Sequence, residues 1–294
     1  MKKRNYILTS LALFALIFGL VSTDFSTEQS ISPASVSTAD VLDSRDSVEL
    51  PVLMYHGITS DETQESEYFI STKRLEDDLI WLKDNGYTTV SPQQLIDYVE
   101  KGSHLPEKPV FLTFDVGYAN NYHLALPILE KYGAKAVFSV IGSTADANSA
   151  SINRPERSKL SWGEIALLSK SSSAFIGSHT YNLHSISGTG GRKGADMIPG
   201  ESFEEYRKVL TEDLTLNNDL IEKATGTRPV VFAWPYGAYP ADRSADEILT
   251  DLGFKISLTS YQISNTIEKG KPETLIGLRR YLRTPEFSLS EKLP

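Results

Sequence analysis

Short apolar runs alternate along the chain with amphipathic stretches, and most runs stop at polar or turn residues. Pro51-Val52-Leu53-Met54-Tyr55 is the first, ending at His56-Gly57 as a strand followed by a loop. Thr72 then caps a predicted helix with Leu75, Leu79 and Leu82 on one face and Gly86 just past its end. Ser91-Pro92 opens a second helix, because the fixed φ of proline suits the first helical position. Val110–Phe114 reads as a buried strand, Asn121–Tyr132 as a helix closed by Gly133, and Lys135–Ile141 as a strand. Ser161-x-x-Glu164 and Ser202-x-x-Glu205 are capping boxes. The second heads a long helix whose Phe203, Tyr206, Leu210, Leu214 and Ile221 fall at helical spacing, a plain core stripe. Ala174–Ser178, Val230–Trp234 and Lys255–Leu258 complete the strands, and a further helix ends at Gly253.

This order predicts the α/β class, with a mainly parallel sheet and helical crossovers in a single domain. About seven units suit a distorted (β/α) barrel better than an open sheet. In barrels the functional groups gather at the C-terminal ends of the strands. His56, Asp115, His179, His184 and the Pro235-Tyr236-Gly237 turn all fall at such ends, which predicts one shared site.

The first residues depart from that pattern. Lys2, Lys3 and Arg4 precede an uncharged apolar run from Tyr6 to Val21, so residues 1–23 read as a signal peptide. An uncleaved membrane anchor stays open, because the run approaches spanning length and no Ala-x-Ala site follows it. Either reading places the protein outside the cell or at its surface, with membrane association only through this segment. Residues 24–48 are rich in Ser and Thr and read as a flexible linker. Residues 49–294 are then the folded domain. The net charge of −9, with a basic leader, leaves the remainder more acidic still and excludes a nucleic-acid footprint. There is no cysteine, so disulfides and thiolate metal sites are excluded, and a metal needs histidine and carboxylate donors.

Phe111-Leu112-Thr113-Phe114-Asp115-Val116-Gly117-Tyr118 delivers one carboxylate to a strand end, and Ser178-His179-Thr180-Tyr181-Asn182-Leu183-His184 delivers two imidazoles. These are the donors of a divalent-metal hydrolase. The histidines are five apart, a loop rather than a helical geometry, and neutral imidazole suits zinc and similar metals. Two imidazoles bind weakly, so a third protein ligand is expected. Asp115 can be that ligand, a general base, or an ordinary turn residue. Val116 stands where a second carboxylate would complete the set. Phe232-Ala233-Trp234-Pro235-Tyr236-Gly237 is a strand running into a tight turn, whose N–H groups can stabilise an oxyanion. Trp234, Tyr236 and Tyr239 offer flat faces to a sugar ring. No Gly-x-Ser-x-Gly elbow supports a serine hydrolase.

From about Leu50 onward the chain resembles the polysaccharide deacetylases of the NodB-homology type, carbohydrate esterase family 4. Thr113-Phe114-Asp115-Val116-Gly117-Tyr118 matches the family's first motif, usually Thr-Phe-Asp-Asp-Gly-Tyr. His179-Thr180 to His184 resembles the second motif and Phe232 to Tyr239 the third. Leu183 before His184, Tyr55-His56 and Arg280 are similar to the branch acting on poly-β-1,6-N-acetylglucosamine in biofilms. The resemblance implies Asp115 as catalytic base, His179 and His184 as metal ligands, and the Tyr236 N–H as an oxyanion donor. It also implies substrate contacts from Tyr118, Trp234, Pro235, Gly237, Tyr239 and Arg280. The implied reaction is hydrolysis of N-acetyl groups on a polysaccharide containing N-acetylglucosamine, by a monomer using a divalent metal, zinc before others.

Two departures qualify that inheritance. The family's second Asp is its third metal ligand, so Val116 weakens or removes the metal unless Asp61 or Glu62 reaches in from a loop. The family's general acid is a histidine near the C-terminus, and none follows His184 here. His56 can take that role or simply fill the top of the barrel. A glycan-binding protein without turnover and an O-acetyl esterase on the same scaffold remain the alternatives.

Overall fold

The computed structural model describes residues 42–151, 154–155, 157–186 and 191–293. The expected leader and residues 24–41 of the expected linker lie outside them. Seven strands carry the fold: β1 (Val52–Tyr55), β2 (Lys108–Phe114), β3 (Ala136–Val140), β4 (Ala174–Ser178), β5 (Val231–Ala233), β6 (Ile256–Leu258) and β7 (Tyr281–Leu282). They form a curled parallel sheet in the order β6-β5-β4-β3-β2-β1-β7, with Tyr87–Thr89 as an eighth strand paired to the start of β2 off this path. Leu258 bridges Leu278 in parallel, so the two edges meet just ahead of β7. The predicted distorted (β/α) barrel is the fold observed.

Helices α1 (Thr72–Asp84), α2 (Pro92–Lys101), α3 (Leu126–Tyr132), α4 (Gly142–Ser149), α5 (Trp162–Leu168), α6 (Phe203–Thr225) and α7 (Asp246–Asp251) pack around the sheet. Three local readings change. The cap of α1 is Ser71, whose Oγ accepts from the Arg74 N–H, and Thr72 is the first helical residue. The stretch read as one helix from Asn121 opens with a wide π-type turn over Asn121–Ala125. Pro127, which has no N–H to give an earlier carbonyl, follows two residues after that turn. The linker ends sooner than expected. Asp43 is buried, binds Arg45 and accepts the Leu105 N–H, and Ser47–Leu50 pairs antiparallel with Asn265–Glu268. Val48 and Leu50 alternate with exposed Ser47 and Glu49, a strand pattern too short to stand out from its Ser-rich surroundings.

Strand parity decides what reaches the site. Side chains alternate faces along a strand. Leu53 and Tyr55, Leu112 and Phe114, and Ala136, Phe138 and Val140 share one cluster with Leu75 and Leu79 of α1 and Leu129 of α3. The opposite parity (Val52, Phe111, Val137, Val231, Ala233, Ile256 and Leu258) forms a second cluster. Continuing that second parity past the strand ends gives His56, Asp115, Ile141, His179 and Ser260, all of which line one cavity. Phe232 and Trp234 have the other parity and pack with Tyr206, Leu210 and Leu214 of α6.

Candidate active site

The cavity encloses about 750 Å³ at the C-terminal ends of the strands. Asp115 is buried, and its two oxygens each accept a 2.7 Å hydrogen bond from the Arg280 guanidinium. Arg280 is fully buried and also donates to the Thr259 carbonyl and the Thr113 hydroxyl. Burial alone would push the Asp115 carboxyl up. The Arg280 charge and hydrogen bonds, with His179 and His56, outweigh it and hold the group below the usual carboxylate range.

His179 is buried, and its Nδ1 lies 2.7 Å from the Ala233 carbonyl oxygen. A carbonyl only accepts, so Nδ1 carries the proton and Nε2 keeps its lone pair. His184 stands with its ring centroid 4.9 Å from that of His179, and its Nδ1 is 3.2 Å from the Tyr236 hydroxyl. The loop between them is clamped by Asp213 of α6, whose carboxylate accepts the Tyr181 and Asn182 N–H groups at 2.7 and 2.8 Å. His56 packs edge-on against Tyr68, with Nδ1 buried and unpartnered among the described residues. Burial, as the largest cause, holds His56, His179 and His184 each down to about 4.

These shifts carry a stability consequence. The three rings are neutral in the folded protein until about pH 4, but titrate near 6.5 when the chain unfolds. Between those values the unfolded chain binds more protons, so stability is expected to fall as pH drops from about 6.5 to about 4. The Asp115 contribution is lost only at still lower pH, below the ordinary 3.8. Denaturant midpoints measured with a chelator present check this, and a flat profile from pH 7 to 4 would contradict it.

Val116 lines the cavity with φ 72°, a left-handed backbone that a β-branched side chain rarely adopts. Aspartate and asparagine tolerate that region better. The donor set therefore meets the requirements of a divalent metal only in part. His179 offers a lone pair oriented by a backbone partner, as metal-binding histidines do. His184 can add a second through Nε2 if its Nδ1 donates to Tyr236. The third position is an alkyl group. Among the described residues no cluster of three or more histidine or carboxylate side chains is placed to hold a metal.

Several expected contacts are corrected. Trp234 is fully buried on the α6 side, by the parity above, and does not line the cavity. Pro235 is buried too, and Tyr239 packs on Trp234 and donates its hydroxyl to Asp246, so neither lines it. Arg280 borders the cavity, but its guanidinium is engaged by Asp115, Thr113 and Thr259 rather than offered to a sugar. Asp61 and Glu62 are exposed in a short turn away from the cavity, where Asp61 accepts from Thr63. Tyr118, Tyr236 and Gly237 do line it. Tyr236 turns the chain with φ 58°, and a Cβ at Gly237 would fall 2.0 Å from the Ser260 Oγ, so only glycine fits there. Sequence reading missed Lys159, Ser260 and Gln262, which also line the cavity from loops without a recognisable signal.

The sequence pattern of the family described as polysaccharide deacetylase matches residues 102–257, more than half of the chain. The chain belongs to that family. A de-N-acetylase from Aggregatibacter actinomycetemcomitans has a similar structure, with a TM-score of 0.71 and 31% identity over 83% of this chain and 98% of that one. IcaB from Ammonifex degensii gives 0.66 and 28%, covering 81% and 93%. The poly-β-1,6-N-acetyl-D-glucosamine N-deacetylase of Escherichia coli K12 is 27% identical over 226 residues, 70% of this chain. The chain spans 33% of that relative's length, and 56% of a Staphylococcus aureus relative of the same name.

Proposed function

We propose that this deacetylase removes N-acetyl groups from N-acetylglucosamine units of an extracellular or cell-envelope polysaccharide, with the β-1,6-linked polymer as the first substrate to test. The carrying observation is the convergence of Asp115, His179, His184, His56 and Tyr236 on one cavity from four separate segments. A secreted or surface-anchored monomer suits a polymeric substrate of that kind.

Asp115 is the base in this reading. Arg280 keeps it ionised and fixed, and each carboxylate oxygen retains a second lone pair for a water proton. His179 and His184 would hold a divalent metal, zinc before others, which when bound polarises the acetamido oxygen and the attacking water. The Tyr236 turn lines the cavity, and in this reading its N–H would be the oxyanion donor. The neighbouring Gly237 and Ala238 N–H groups are already taken by the Trp234 and Pro235 carbonyls. Tyr118 and Gly237 border the sugar.

A second reading, glycan binding without turnover, is favoured by one observation, the alkyl side chain of Val116 among the ligand positions. Amine release from N-acetylglucosamine oligomers separates the two when wild type and His179→Ala are compared, with zinc content measured alongside. The deacetylase reading expects release in the wild type and a loss of about 100-fold or more in the variant. Oligomer binding with no release in the wild type supports the binding protein instead. An acetyl ester hydrolysed while the amide is not would point to an O-acetyl esterase.

A further inference from the structure

A second cavity of about 470 Å³ abuts the first. Tyr68, Tyr118 and Lys159 line the larger cavity, and their chain neighbours Phe69, Ala119 and Ser158 line the smaller one. The wall between them is therefore one residue thick. The Ala119 N–H donates to the Ser158 carbonyl and the Leu160 N–H to the Gly117 carbonyl, both at 2.8 Å, which ties two of the three segments together. The wide turn over Asn121–Ala125 brings His123 and Leu124 to the smaller cavity, and turns of that kind recur at functional sites.

The wall is a stack of rings and cations. The Arg157 guanidinium lies over the Phe69 ring, 4.2 Å from its centroid, and Phe69 meets Tyr118 edge-on at 4.8 Å. The Lys159 ammonium sits over Tyr118 at 3.1 Å. Among the described residues neither cation has a carboxylate within ion-pair distance. Arg157 donates only from Nη2, to Gln64, at 3.0 Å to the carbonyl, so its Nε and Nη1 keep their N–H groups unspent. Asn120 lines the same cavity and is only 9% exposed. Its Oδ1 accepts the Ile58 N–H at 3.1 Å, and its Nδ2 has no partner among the described residues.

Charge decides what such a site holds. The chain carries −9, yet among the described residues the one carboxylate lining either cavity is Asp115, which Arg280 already pairs. Arg154 also lines the smaller cavity, but Glu164 takes it through two hydrogen bonds. Asp61 and Glu62 are exposed near the turn that Arg157 touches and line neither cavity. What remains is an open guanidinium fork resting on an aromatic face, beside a buried amide donor. That fork matches the paired oxygens of a carboxylate or phosphate, and stacking steadies it without consuming its donors.

We propose that the smaller cavity is a subsite for the sugar next to the reacting one, and that it takes a unit bearing an anionic substituent, a carboxylate or a phosphate. Arg157 and the Asn120 amide bind the substituent, and Lys159 adds positive field from the other side of the wall. The proposal rests on the deacetylase reading only for what happens in the larger cavity.

Binding of β-1,6-linked N-acetylglucosamine tetramers, measured by calorimetry, tests it. Each tetramer carries one carboxymethyl, one phosphoryl or one neutral hydroxyethyl group, on the second or the third sugar. The better charged tetramer is expected to bind about 10-fold tighter than its neutral counterpart at low salt, the worth of one charge-assisted contact, and the stronger anion names the substituent. The gap should narrow as salt rises. Arg157 is exposed, so Arg157→Gln should keep the fold and the neutral affinity while closing the gap. Asn120→Asp keeps the acceptor for Ile58 but sets a negative charge in the cavity, and is expected to invert the preference. Equal affinities in the wild type at both positions would overturn the proposal, as would a preference that survives Arg157→Gln. Amine release is read separately. Its absence from every tetramer would remove the deacetylase reading, while the binding gap still decides the subsite.

Discussion

Arg280→Met is expected to destabilise the protein by about 3–5 kcal/mol, the usual penalty for stranding one member of a buried ion pair. Arg280 is fully buried, and its removal leaves the Asp115 carboxylate without its two charge-assisted hydrogen bonds. It also strands the Thr259 carbonyl that accepts from Nε. With Arg280 gone, the effect of burial on Asp115 is less fully opposed, so the carboxyl rises toward protonation and the proposed base is lost along with the stability. The double variant Asp115→Asn/Arg280→Met is expected to be less destabilised than Arg280→Met, because no buried charge remains unpaired. Denaturant midpoints for the variants decide this, with amine release as the second readout. An Arg280→Met protein as stable as wild type would mean that water reaches Asp115 and satisfies it.

Val116→Asp is expected to raise zinc affinity by roughly 100-fold. Structural zinc sites bind with about 10–16 kcal/mol shared among four ligands, so one added ligand contributes roughly 3 kcal/mol. The backbone is already shaped for the change. At φ 72° valine is strained by about 1–2 kcal/mol, whereas aspartate adopts this region more readily. The substitution should therefore add a ligand without costing the fold. Competition with a chelating dye measures the affinity, and Val116→Asp/His179→Ala serves as the control. The new carboxylate also meets Lys159 on the same rim of the cavity, and an ion pair there would hold the Lys159 ammonium up. Unchanged zinc binding in Val116→Asp would show that the carboxylate turns toward Lys159 rather than the imidazoles.

Much of the fold was legible because its signals are local. The capping boxes at Ser161 and Ser202 form as read, and Gly133 ends its helix in the left-handed conformation that closes it. The strand at Ser47–Leu50 was not legible, because its partner lies more than two hundred residues away and four residues carry too little pattern. The site divides in the same manner. His56, Asp115, His179 and Tyr236 stand at strand ends, where alternation and turn chemistry announce them. Trp234 was misread as a sugar platform although its parity matches Phe232 and turns it toward α6. That error was avoidable from alternation alone.

Composition and periodicity by themselves determined the α/β class, the order of elements, the absence of thiol chemistry and the three donors available to a metal. The resemblance of Thr113–Tyr118 to the family's first motif implied the loss of a carboxylate at position 116. Only the tertiary structure decided how these groups work. Arg280 is 165 residues from Asp115 in sequence yet 2.7 Å away in space, so whether it is free for a sugar or holds the Asp115 carboxylate depends on the curl of the sheet. Lys159 gains its place from two backbone hydrogen bonds to a loop some forty residues earlier. Charge and hydrogen bonding act through distance, and burial sets their strength. Neither is a property of a residue's neighbours along the chain.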